Sequence, residues 1–331
     1  RVVPPDSWGA ALQYFTGSKA HNVRLRELAL RHGWTLNEYA LTDRAAGRRI
    51  AGEDEAEIYR LLGLEPIPPE LREDAGEIEA AQTGQLPHLV TRADIRGDLH
   101  SHSDWSDGVA PILAMAEAAR AYGHEYFALT DHSQSLGVAR GLTVERVREQ
   151  QAAVHELNRR LAPFRILHGL ELEIRADGTL DFPDDVLAEF DLVIASVHSA
   201  FGQSREKITT RLVGAARNPH VDVIGHPTGR ILGARDPYDV DVGALIAACA
   251  ESGTALEINA NPSRLDLDDV YVRQAREAGV WIAINTDAHA PENFSLLPYG
   301  LGVARRGWLE PRNVLNALPL ADLLAWLRRR G

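Results

Sequence analysis

The sequence predicts an α/β protein, its larger part a seven-stranded (β/α) barrel preceded by a small α/β unit. Three observations lead there. From Ala93 onward, short apolar runs alternate with helical patterns, as in a mostly parallel sheet. Seven strand candidates can be counted: Ile95–Leu99, Tyr126–Thr130, Arg165–Leu170, Leu192–Val197, Val221–Ile224, Ala255–Ile258 and Val280–Asn285. Nearly all of them finish in histidine, aspartate or glutamate, at the edge where parallel α/β folds gather their ligands.

Residues 1–64 form the small unit. Trp8 to Phe15 is apolar and leads into Thr16-Gly17-Ser18. His21 to Arg31 has helical periodicity and ends at Gly33, Trp34 to Leu41 alternates loosely like a strand, and Gly52 to Leu62 is a short acidic helix. Residues 65–93 hold four prolines, Pro66, Pro68, Pro69 and Pro87, with scattered acids, and read as a linker with one short helix.

Residues 94–331 carry the barrel. Between its strands run the helix candidates Pro111–Tyr122, Thr143–Leu161, Arg205–Arg217, Gly243–Glu251 and Leu267–Ala278, with Arg312–Arg329 closing the chain. Asp239-Val240-Asp241 reads as the cap and first turn of a helix.

The strand ends carry the chemistry. Side chains two apart on a strand face the same way, so His100 and His102 project together from the first, with Asp107 a few residues on. His132 follows the second strand, Glu171 the third, His198 the fourth and His226 the fifth; Asp287 and His289 share a face after the seventh. These nine nitrogen and oxygen donors exceed what one ion needs, and three divalent ions at about three ligands each would leave positions for water and substrate. Mixed imidazole and carboxylate donors suit Mn, Zn and Fe. Glu171, His102 and Asp287 form the centre of the expected catalytic set. Asp131 and Glu173 could orient ligand imidazoles, and Arg140, Arg230 and Arg264, on loops after strands, are candidate phosphate or DNA clamps.

Composition narrows the classes. The net charge of −12 gives no basic balance of the kind that favours nucleic acid, although local fields count for more than the total. No run approaches the ~18 apolar residues of a membrane span. Cys249 is the single cysteine, so a disulfide framework and a cysteine zinc site are excluded, which fits a cytoplasmic protein. The start, Arg1-Val2-Val3-Pro4-Pro5, reads as the cut end of a longer chain and not as a targeting segment.

Two resemblances follow from these motifs. Tyr14-Phe15-Thr16-Gly17-Ser18-Lys19-Ala20-His21-Asn22-Val23-Arg24-Leu25-Arg26, followed by Gly33-Trp34-Thr35-Leu36-Asn37-Glu38-Tyr39, resembles the nucleotide-end subdomain of family X DNA polymerases. That resemblance implies that Tyr14, Phe15, Gly17 and Ser18 lie under the sugar of an incoming nucleotide. It also implies that Asn22 reaches the base and Arg26 the template. The strand-end motifs, in their order and spacing, resemble the polymerase and histidinol phosphatase (PHP) family. This implies a distorted seven-stranded barrel with a trinuclear metal site. His100, His102, Glu171 and Asp287 would hold one ion, Glu171 would bridge to a second held by His198 and His226, and Asp107, His132 and His289 would hold the third. Aspartate at 107, where many members have histidine, is shared with bacterial family X polymerases, and the resemblance favours manganese for activity.

Together these readings imply the C-terminal part of a bacterial family X repair polymerase whose palm precedes residue 1. Its expected activity is 3′–5′ exonuclease or abasic-site processing. Its expected partners are DNA, as primer 3′ ends or gapped or damaged duplex, and the N-terminal polymerase domains of the same parent chain. Two rivals stand beside it: a histidinol-phosphate-type phosphatase acting on small molecules, and a metal-stabilised scaffold without catalysis.

Overall fold

A computed structural model describes residues 1–328, which divide into two compact units, Arg1–His88 and the chain from Leu89 onward. In the first unit, α1 (Trp8–Thr16) and α2 (Lys19–Arg31) precede a small antiparallel sheet of β1 (Trp34–Leu36), β2 (Leu41–Asp43) and β3 (Arg49–Ala51). α3 (Glu55–Leu61) and α4 (Glu77–Thr83) follow. Ser18 starts α2 as its cap, its hydroxyl accepting from the His21 amide, and Asp54 does the same for α3. Trp34 to Leu41 is therefore two short strands and a turn, because the Asn37 side chain accepts from the amides of Tyr39 and Ala40 and folds the chain back.

Residues 65–88, expected as a linker, are packed into this unit. Ile67, Leu71, Ile78 and Ala81 are buried. Arg72 is buried as well, its guanidinium 2.6 Å from Glu55 Oε1 and from Thr16 Oγ1 and bonded to the carbonyl of Ile67. Pro68 and Pro69 there open a short 3₁₀ turn, Pro69–Leu71.

The second unit is the barrel. Its strands are β4 (Gly97–Asp98), β5 (Tyr126–Leu129), β6 (Arg165–Glu173), β7 (Leu192–Ser196), β8 (Val223–Ile224), β9 (Ala255–Asn259) and β10 (Ile282–Asn285). They are parallel and lie in sequence order around a seven-stranded sheet. The connecting helices are α5 (Ile112–Ala121), α6 (Val144–Leu161), α7 (Asp184–Leu187), α8 (Arg205–Arg217), α9 (Val242–Ser252) and α10 (Asp269–Glu277), followed by α11 (Leu297–Arg306) and α12 (Leu320–Arg328). Thr143 caps α6 and Asp241 caps α9, as the sequence implies. The strand interiors are entirely buried, with Leu99, Tyr126, Ala128, Leu167, Leu192 and Ile194 in one apolar cluster.

Among the described residues no regular ladder joins β10 to β4, and side chains close the seam. Asn316 donates to the carbonyls of Gly97 and Ile284 and accepts from the Ile284 amide. Asp98 accepts from the amide and hydroxyl of Thr286, and Asn285 Oδ1 from the amide of Leu99. One backbone bridge, Ser101 with Ala288, completes the closure.

Two expected elements differ. The closing helix, expected over Arg312–Arg329, is two short 3₁₀ turns (Pro311–Asn313 and Leu315–Ala317) and then α12, because Pro319 halts the first run; Arg329 lies outside the described residues. α11 is a helix outside the expected set, and it contains Pro298, Gly300 and Gly302. Pro298 sits in its first turn, where no amide is needed, and a Cβ on Gly300 would stand 2.7 Å from the Cβ of Ala260.

His124 is buried beside Arg92 and the rings of Tyr122 and Phe294, and neither of its ring nitrogens has a hydrogen-bond partner among the described residues. Burial, and then the Arg92 charge, push its pKa down to about 3. The unfolded chain therefore takes up a proton near pH 6.5 that the folded chain refuses, and stability is lost as pH falls below that point. The loss at pH 5 amounts to about 2 kcal/mol. His124→Phe is expected to remove it, so that urea midpoints at pH 7 and pH 5 draw together; an unchanged gap would count against this assignment.

Candidate metal centre

The nine expected donors meet at the C-terminal mouth of the barrel. Glu171 is at their centre. Its Oε1 lies 2.9 Å from His226 Nε2 and 3.2 Å from His198 Nε2. Its Oε2 lies 2.9 Å from His132 Nδ1, 3.3 Å from His100 Nε2 and 3.5 Å from His102 Nε2. Burial alone would push this carboxyl up, but the surrounding imidazoles, His198, His132 and His100 foremost, hold it well below the usual range.

Asp287 is the second carboxylate. Its Oδ1 is 3.1 Å from His102 Nε2 and 3.6 Å from both His100 Nε2 and His289 Nδ1. Asp107 is the third, 3.4 Å from His289 Nε2, 3.5 Å from His132 Nε2 and 3.7 Å from His102 Nδ1. Burial first, and then His289 and His132, push His102 down to about 3, which keeps its ring neutral with one lone pair free for a cation.

Local sequence explains the convergence. Glu171 and Glu173 share one face of β6, and Glu257 and Asn259 one face of β9. Gly108 lets its loop fold back on the His102 backbone, where a Cβ would come within 2.7 Å. Asp287 and His226 adopt positive φ, 53° and 26°, as ligand-bearing turns at strand ends often do.

Three sets of donor atoms lie close enough to share a cation: His100, His102 and Asp287; His132, Glu171 and His198; and His102, Asp107, His132 and His289. This partition differs from the expected one. His132 stands between the Glu171 and Asp107 sets, and His226, outside all three, meets Glu171 Oε1 at 2.9 Å. The donors suit a cation. His100 Nε2, both ring nitrogens of His102, His132 Nδ1 and His226 Nδ1 are buried without a hydrogen-bond partner among the described residues, an arrangement that costs free energy unless something electropositive binds there.

The supporting groups were only partly legible. Glu173 orients His198, its Oε2 2.8 Å from Nδ1. Asp131 does not orient an imidazole: it accepts from Ser103, Ser106 and Gln150, and so fixes the loop after β4. Glu257 was missed as a functional group. It is fully buried, 2.7 Å from His100 Nδ1, and accepts from the His226 amide and Asn285. A charged residue inside the apolar run Ala255-Leu256-Glu257-Ile258 was the available signal.

The arginines separate. Arg264 Nε is 3.8 Å from Asp287 Oδ2, and its Nη1 is buried with no partner among the described residues. Arg230 instead bonds the carbonyls of Arg264 and Leu265, and so braces that loop. Arg140 is exposed after a 3₁₀ turn, and its carbonyl accepts from Arg146.

In the first unit, Asn22 is occupied internally, its Oδ1 accepting from Gln13 and its Nδ2 donating to the Tyr14 carbonyl. It supports the Tyr14 backbone. Phe15 is exposed, with the Tyr14 ring edge-on 5.1 Å away; Gly17 ends α1 and Arg26 is exposed. His21 is bonded to Glu77 and Tyr59 in the core.

Comparison with known proteins agrees with this geometry. Residues 98–261 match the family model for the PHP domain, and residues 11–73 that for the DNA polymerase beta thumb. A probable phosphatase of Edwardsiella ictaluri is 30% identical over 250 residues, which cover 71% of this chain and 94% of that protein. The chain belongs to the PHP family. A DNA polymerase/3′–5′ exonuclease PolX of Bacillus subtilis is 46% identical over 329 residues, 99% of this chain; the chain spans 57% of that relative's length. The histidinol phosphate phosphatase of Lactococcus lactis, solved with zinc, L-histidinol and phosphate, shares the PHP fold at 18% identity. It has a TM-score of 0.50 and covers 64% of this chain and 93% of its own. No helix among the described residues is long and apolar enough to cross a membrane.

Proposed function

We propose that this chain is a metal-dependent phosphoesterase that trims DNA 3′ ends. The observation that carries the reading is the single carboxylate of Glu171 within 3.5 Å of five imidazoles. His100, His102, Asp107, His132, Glu171, His198, His226, Asp287 and His289 would hold divalent cations, manganese by preference. Such cations lower the pKa of water and neutralise phosphoryl oxygens.

The chain's own residues do the rest. Glu257 and Glu173 hold the rings of His100 and His198 in one orientation and tautomer. Burial of His100, His102, Glu171 and Asp287 excludes bulk water and strengthens the charge interactions among them. Arg264 offers a guanidinium donor beside Asp287, suited to a non-bridging phosphate oxygen. The thumb-like first unit supports DNA over a small metabolite, since a phosphatase of small molecules has no use for it.

A labelled primer incubated with Mn²⁺ tests the reading. Shortening from the 3′ end is expected, abolished by a chelator and restored by added metal. His100→Ala is expected to lose more than about 100-fold, beyond what removing a supporting group costs. A second reading, hydrolysis of small phosphomonoesters, is favoured by the match to the probable phosphatase over nearly that protein's whole length. Faster turnover of a simple aryl phosphate than of DNA would decide for it, and metal binding without any hydrolysis would decide for a scaffold.

A further inference from the structure

We infer that the candidate centre binds its cations with graded strength, and that the outer set around Asp107, His132 and His289 is an exchangeable site. This inference rests on the metal-dependent reading above. Three differences between the sets support it.

The first is exposure. The side chains of His100, His102 and Glu171 are at most 1% exposed and that of Asp287 is 8% exposed, whereas those of Asp107 and His289 are 35% and 36% exposed. Water reaches the outer set directly and competes for its cation.

The second is charge. His100 Nε2 lies 3.3 Å from Glu171 Oε2 and 3.6 Å from Asp287 Oδ1, so the innermost donor faces two carboxylates, whereas in the outer set Nε2 of His132 and of His289 faces Asp107 at 3.5 and 3.4 Å. A divalent ion there is neutralised only by half, with histidines making up the remaining donors.

The third is support. His100 is held by the Glu257 carboxylate at 2.7 Å, His198 by Glu173 at 2.8 Å and Asp287 by the Asn259 amide at 3.0 Å. In the outer set His289 Nδ1 is held by a backbone carbonyl, that of Asp287, at 2.8 Å. Carboxylate support raises the basicity of an imidazole and fixes its orientation, and its loss costs roughly 10–100-fold in metal affinity.

The test is metal content, not turnover. The 331-residue chain is loaded with Mn²⁺, dialysed against metal-free buffer, analysed for manganese and then titrated with Mn²⁺ by calorimetry. Dialysis is expected to remove the outer ion and leave the inner ones, and the titration to show its return with an affinity roughly 10–100-fold weaker. Asp107→Asn is expected to delete that weak phase and spare the retained manganese. Glu257→Gln is expected to release manganese that the wild type retains. Loss of every ion in one phase, retention of every ion, or loss of retained manganese in Asp107→Asn overturns the grading. The wild-type and Asp107→Asn results decide the matter even where Glu257→Gln fails to fold. A chain that binds no manganese under any condition overturns the phosphoesterase reading itself, and the grading with it.

Discussion

Glu171→Gln is expected to lose hydrolysis and inner-site manganese together, activity falling by more than about 100-fold. The amide is nearly the same size, so the barrel has no reason to repack. What changes is charge: the anion faced by five imidazoles disappears, and one of its oxygens becomes a donor pointed at ring nitrogens. Elemental analysis beside a primer-shortening assay checks this. Full manganese content with wild-type rate would remove Glu171 from the centre of the site.

Asn316→Leu is expected to destabilise the barrel by roughly 3–5 kcal/mol. Asn316 is completely buried and serves Gly97 and Ile284 through three hydrogen bonds. Leucine fills the space but leaves two carbonyls and an amide without partners, and each such orphan costs about 1–3 kcal/mol. Urea unfolding followed by tryptophan fluorescence measures the loss. A change below about 1 kcal/mol would mean that water or a shifted backbone replaces the side chain.

The strands were legible because each is an apolar run bounded by turn residues, and the donors because they follow those runs at nearly every strand end. What the sequence hid has a physical cause in each case. Glu257 looked like one more polar residue near a strand end, and only the fold brings it to His100, 157 positions away. Arg230 and Arg264 look alike in sequence, but the turn after β8 commits Arg230 to backbone carbonyls. Residues 65–88 carry linker-like prolines, yet their apolar side chains at 67, 71, 78 and 81 find a core. α11 contains the residues that usually end helices, placed where the first turn and a close contact tolerate them.

The weakly laddered junction between β4 and β10 has a chemical counterpart. His100 and His102 leave from one of its lips, and Asp287 and His289 from the other. A cation gripped by both lips would act as a clasp, fastening the cylinder where main-chain pairing is sparse. Catalytic readiness and mechanical closure would then be one event, and a chain stripped of its ions would gape first along that line.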